Sequence, residues 1–127
     1  LEKLLILDDE LKLRNKVSDY YSSNIISELR KPFIPKDYTS SWAQYSLLAK
    51  SEFNRSEIIS SLNKLNIPGM IYYKTPLHLQ TVFEKLGYKN GDFPISEKIS
   101  KKIFSIPMHP YLNKKKQDII INTVNNR

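Results

Sequence analysis

Cysteine is absent from these 127 residues. That excludes disulfides, a thiolate nucleophile and cysteine-ligated zinc, and it suits a cytoplasmic protein. Histidine occurs only as His78 and His109, too far apart for a paired-ligand spacing, so no metal site is expected. No apolar run approaches the roughly 18 residues of a membrane span. The first residues, LEKLLILDDELKLRNK, lack the basic start and small-residue cleavage site of a signal peptide. They open inside a helical pattern without an initiator Met, which reads as a piece of a longer chain. Glycine is scarce as well, at three, so few turns can rely on it.

What is present is ordinary globular composition, with 40% apolar and 26% charged residues. The length points to one domain. The net charge of +7 admits two readings, a surface for nucleic acid or acidic ligands and a solvated basic face. The second is preferred. Lys98, Lys101 and Lys102 are separated from Lys114, Lys115 and Lys116, and Arg14, Arg30 and Arg55 do not cluster as in a base reader.

Apolar spacing predicts a long helix over residues 1–29, with Leu4, Leu7, Leu11, Ser18, Tyr21 and Ile25 on one face. Pro32 and Pro35 end it, and a polar loop follows. Residues 41–49, SWAQYSLLA, read as a strand. Asn54, with Glu57 three residues on, predicts a capped helix to about Asn66 with Ile58, Ile59, Leu62 and Leu65 buried. GMIYY at 69–73 reads as a second strand. Thr75 and Pro76 then start a helix that ends at Gly87. Pro94 opens a short helix to Lys102 with Ile95 and Ile99 inward. IFSI at 103–106 is a third strand, and Asn113 caps a last helix with Ile119, Ile120 and Val124 as its apolar face. The fold class is α/β (α+β): a small mixed or antiparallel three-stranded sheet packed by helices, its strand order open.

The run YYKTPLHLQ, Tyr72 to Gln80, resembles the DegT/DnrJ/EryC1/StrS sugar aminotransferases, which are fold type I pyridoxal-phosphate enzymes. The likeness continues through Leu86-Gly87-Tyr88, Gly91-Asp92-Phe93-Pro94, Ser96-Glu97, Ile106-Pro107-Met108-His109-Pro110, Leu112 and Gln117. Upstream, Arg14, Ser18 and Tyr21 match the family's R-x-x-x-A-x-x-Y helix, with Ser in the small position. The resemblance implies that residues 1–127 are the C-terminal small domain, with 1–30 a connecting helix and 41–127 an α/β body. The N-terminal large domain would then lie outside this chain. It also implies pyridoxal phosphate as cofactor of the full-length enzyme, a nucleotide-linked keto-sugar as substrate in glycan or sugar biosynthesis, and a homodimer. No segment here resembles the family's Schiff-base lysine motif, so no catalytic residue is assigned.

Tyr72 and Tyr73 are the leading substrate-contact candidates, at the end of a strand that faces substrate in the family. A phenol can stack on a sugar face and hydrogen-bond its hydroxyls. Strand alternation turns one of the pair inward, and which one stays open. His78 is a candidate for a polar contact near the nucleotide-sugar or the dimer partner. The preferred alternative is a histidine that satisfies a helix start or a neighbouring loop. Lys74 stands where the family commonly has Pro, and it either reaches a diphosphate or is a surface replacement. Two other classes of function remain: a non-catalytic remnant or split-enzyme subunit, and a small basic nucleic-acid-binding module, the least expected.

Overall fold

The computed structural model describes residues 2–127. A short helix α1 (Glu2–Leu5) runs through a break at Ile6 into α2 (Leu7–Asn24). The predicted stripe is real only in its second half. Val17, Ser18, Tyr21 and Ile25 are buried, whereas Leu4 and Leu7 face outward. Among the described residues of the first turns only Glu10 is buried, accepting from the Tyr111 hydroxyl at 2.7 Å, so the apolar spacing there has no core to meet. The helix ends at Asn24, before the expected Leu29. Asn125 closes that end, accepting from the Ile26 and Ser27 amides (2.9 and 3.3 Å) and donating to the Asn24 carbonyl (2.9 Å). Lys31 Nζ adds bonds to the Ser22 and Ile25 carbonyls, a cation set against the negative end of the helix.

The sheet has two antiparallel strands, β1 (Tyr45–Leu48) and β2 (Ile103–Ile106). Tyr45 pairs with Ile106 and Leu48 with Ile103. Each outer edge carries a single bridge, Arg30 to Leu48 on one side and Met70 to Ser105 on the other. The expected second strand at 69–73 is thus reduced to Met70, whose amide and carbonyl bond to Ser105 at 2.9 and 2.8 Å. Beyond it the backbone leaves the sheet. The expected strand at 41–49 is shorter too. Trp42 has a left-handed φ of 49°, which breaks the extended run before Tyr45.

Helix α3 (Glu52–Lys64) starts one turn earlier than predicted, because Ser51 is the cap: its hydroxyl accepts from the Asn54 amide at 3.0 Å. Ile58 and Leu62 are buried, while Leu65 lies past the helix end and is exposed. The helix expected over 75–87 is instead two 3-10 turns, Leu77–Leu79 and Thr81–Leu86, separated by an extended Gln80. Gly87 does close the segment in the left-handed conformation, φ 79°. Helix α4 (Pro94–Ser100) follows, with Ile95 and Ile99 exposed rather than inward. Helix α5 (Lys114–Asn125) is capped by Asn113 as predicted, its side chain accepting from the Lys116 amide at 2.9 Å. Ile120, Ile121 and Val124 are buried and Ile119 is not.

The core lies where α2, α3 and α5 cover the sheet. Tyr45 stacks on Trp42 at 5.5 Å and meets Tyr21 at 5.1 Å. Each polar tip is satisfied. Tyr21 donates to the Pro107 carbonyl (2.9 Å), Tyr45 pairs with the Ser22 hydroxyl (2.8 Å), and the Trp42 indole donates to Asn15 (2.9 Å). Burial pushes the Tyr21 phenol well above its ordinary pKa and raises that of Tyr45. Arg14 donates to the Trp42 carbonyl at 2.9 Å. Arg14 and Tyr21 therefore tie α2 to one end of the sheet, where β1 begins and β2 finishes, while the Ser18 hydroxyl bonds within its own helix to the Asn15 carbonyl at 3.1 Å.

Candidate functional site

The site begins where the sheet stops. Gly69 passes so close to α3 that a Cβ there would lie 3.1 Å from an Ile59 side-chain carbon. Met70 makes the last sheet bond, Ile71 packs half-buried on the core, and Tyr72 and Tyr73 emerge exposed at 53% and 65%. Neither phenol is sealed inward.

Tyr73 lines a cavity of 290 Å³. Thr75, Pro76, Leu77 and Gln80 form one wall, and Ser96, Ile99, Ser100 and Ile103 form the other. No charged side chain lines it. The phenol, the hydroxyls and the Gln80 amide supply neutral donors and acceptors beside apolar surface, the chemistry that holds a polyhydroxyl ring. Tyr73 is the only titratable residue that lines it among the described residues. Tyr72 and Lys74 do not line it, and both are exposed.

His78 is turned away from open solvent. Its side chain is 8% exposed, Nε2 lies 2.9 Å from Glu97 Oε1, and the ring meets Phe93 at 4.8 Å. Glu97 was visible in the sequence only as part of a motif, yet it organises this region. It accepts from the Gly91 amide (2.9 and 3.0 Å) and the Phe93 amide (3.3 Å) as well as facing His78. Desolvation pushes the Glu97 pKa up, but the bonds from the Gly91 amide, His78 and the Phe93 amide outweigh it and leave it below the ordinary carboxylate value. The Glu97 amide in turn donates to the Phe93 carbonyl at 3.0 Å, the i→i−4 bond that opens α4. An acid placed just after the Pro that opens a helix was the available signal. Gly91, at φ 101°, allows the backbone to turn its amide toward Glu97, which a Cβ would resist.

Pyridoxal phosphate requires an amine able to form an imine, a partner for the pyridine nitrogen and a cradle of phosphate donors. Among the described residues no lysine is buried, and none lines the Tyr73 cleft. The residues of this chain do not fit that group on their own. Nor does any group of three His, Asp or Glu among the described residues lie close enough to hold a metal ion. No helix of the described residues is long and apolar enough to cross a membrane.

The model of the DegT/DnrJ/EryC1/StrS aminotransferase family matches residues 1–125. A pleiotropic regulatory protein of Geobacillus stearothermophilus is 40% identical over 81 residues, 64% of this chain and 21% of its own length. A UDP-2-acetamido-2-deoxy-3-oxo-D-glucuronate aminotransferase of Pseudomonas aeruginosa is 30% identical over 127 residues, 99% of this chain and 34% of its own length. A crystal structure of a DegT DnrJ EryC1 StrS aminotransferase from Brucella abortus superposes with a TM-score of 0.89 at 38% identity, covering 99% of this chain and 33% of that one. The chain thus spans about a third or less of the length of these relatives.

Proposed function

This chain belongs to the DegT/DnrJ/EryC1/StrS aminotransferase family, and we propose that it serves as the C-terminal small domain of a pyridoxal-phosphate-dependent enzyme that aminates a nucleotide-linked keto-sugar. In this reading residues 1–30 connect to a large domain outside the chain, residues 41–127 form the α/β body, and the working enzyme is a homodimer. The large domain holds the cofactor, and this domain orients the sugar.

The observation that carries the reading is the Tyr73 cleft. It is uncharged, rich in hydroxyls and placed at the point where the sheet ends, and the exposed Tyr72 lies beside it. A neutral sugar ring is recognised by such groups, its hydroxyls on Thr75, Gln80 and Ser96 and its apolar face on the phenol. Lys74, exposed beside the cleft, is the residue within this segment suited to an anionic part of the substrate.

The test uses the longer polypeptide, purified with its cofactor. Tyr73→Phe, which keeps the ring and removes the hydroxyl, raises KM for the nucleotide-sugar by about tenfold, the loss of one hydrogen bond to a substrate hydroxyl. KM for the amino donor and the absorbance of the bound pyridoxal stay unchanged. An unchanged KM for the sugar in both Tyr73→Phe and Tyr72→Phe would remove this reading.

A further inference from the structure

Ile99 lines the Tyr73 cleft and also a second cavity, of 430 Å³, on the other flank of α4. The two differ sharply in charge. The first has no ionised side chain, whereas the second is lined by Arg30, Lys50, Lys98 and Lys102 with a single carboxylate, Glu28. Glu28 is already engaged by Lys50 at 2.6 Å. The Lys102 ammonium is directed to the Lys50 carbonyl. That leaves the Arg30 guanidinium and the Lys98 ammonium without an acceptor among the described residues. Leu48, Ala49, Ile95 and Ile99 supply apolar wall between them.

We propose that this cavity binds a phosphate-bearing small molecule, with the phosphate on Arg30 and Lys98 and an apolar moiety against Ile95 and Ile99. The volume is that of a small-molecule site, which lies roughly between 300 and 1,000 Å³. Guanidinium and ammonium donors form charge-assisted bonds to phosphate that are roughly twice as strong as neutral ones. The sheet edge fixes one half of the site: the Arg30 backbone is tied to Leu48 at 3.1 and 3.0 Å, so its side chain starts from a rigid base. This inference does not depend on the aminotransferase reading.

The lysine run at the start of α5 is an internal control. Lys114, Lys115 and Lys116 carry comparable charge, but Lys114 is already paired with Asp118 at 3.1 Å, and the cavity that Lys116 borders is otherwise mostly apolar. The experiment is an NMR titration of the full chain at low salt with inorganic phosphate and, separately, phenyl phosphate. Saturable shifts confined to residues 28–31, 48–50 and 95–102 are expected, with phenyl phosphate the tighter ligand. Arg30→Gln with Lys98→Gln should weaken it by about tenfold while melting stays unchanged, because both side chains are exposed. The single variants should each show part of that loss, which keeps the test valid if the double variant melts early. Equal, non-saturating shifts at Lys114–Lys116 would mean bulk counter-ion attraction and overturn the proposal. So would undiminished binding in the variants, or binding to polyglutamate but to neither phosphate.

Discussion

Tyr21 and Tyr73 both sit in segments that resemble the family, yet one is fully buried and the other is 65% exposed. Tyr21 belongs to a body in which it, Tyr45 and Trp42 are answered within the chain: ring on ring, hydroxyl on carbonyl, indole on amide. Tyr73 belongs to a segment, residues 72–95, whose apolar side chains Leu77, Val82, Leu86 and Ile95 face outward. That segment is held by polar clamps around Glu97 and by the His78, Phe93 and Tyr88 rings. The body should therefore respond to core mutation as a cooperative unit, and the segment should respond locally.

The largest expected effect breaks the body. Tyr45→Ala removes a fully buried ring stacked between Trp42 and Tyr21 and should cost about 3–5 kcal/mol. Urea unfolding measures it, and the midpoint should fall with little change in slope. A loss under about 1 kcal/mol would mean that the core can collapse around the gap and is less rigidly packed than its geometry indicates.

Asn125→Ala comes next. It leaves the Ile26 and Ser27 amides and the Asn24 carbonyl without their shared partner, at the place where α5 clamps the end of α2. Because water reaches part of this corner, a loss of about 1–2 kcal/mol is expected by the same unfolding measurement. Asn125→Asp, which keeps the acceptor oxygen, should recover part of it.

The same contrast explains what could be read from sequence. IFSI at 103–106, the Asn113 cap and the Gly87 turn were legible because each signal is local: a short apolar run, a side chain that reaches its own helix, a residue free to adopt positive φ. The stretch 69–73 has the residue types of a strand, but pattern reports side-chain character and not whether an edge is within reach, and only Met70 finds one. The stretch 75–87 has a sound helix start and good apolar spacing. A helix of that length relies on packing its apolar face, and among the described residues Leu77, Val82 and Leu86 of that face stay exposed, so the backbone settles into 3-10 turns. Tyr72 and Tyr73 were legible as candidates through the resemblance alone. That Tyr73 lines the cleft and Tyr72 does not depends on where the chain leaves the sheet, a tertiary fact.

Glu97→Gln sharpens the comparison from the other side. The variant keeps an acceptor for one amide but loses the charge that faces His78. Amide exchange across residues 75–93 should accelerate while β1, β2 and α5 keep their protection, the signature of local opening. The pH dependence has a definite sign. The folded-state pKa of Glu97 lies below its unfolded value, so its contribution is present above the ordinary carboxylate range and is lost as pH falls through the lowered pKa. NMR shifts of Phe93 and Tyr88 should follow that acid transition in the parent and lose it in Glu97→Gln. A transition that persists in the variant would assign it to another carboxylate.

The smallest expected effect on stability is the most telling about the segment. Replacing Leu77, Val82 and Leu86 by Ser removes three large apolar side chains, a change that in a core would abolish folding. Here they are 66%, 75% and 64% exposed, so each substitution should stay within about 0.5 kcal/mol in the isolated chain, read by urea unfolding. A melting temperature near that of the parent, together with impaired assembly or activity of the longer enzyme, would show that these side chains answer to surfaces outside this chain. A large loss of stability in the isolated chain would instead place them in its own cooperative core, and the division between body and segment would fail.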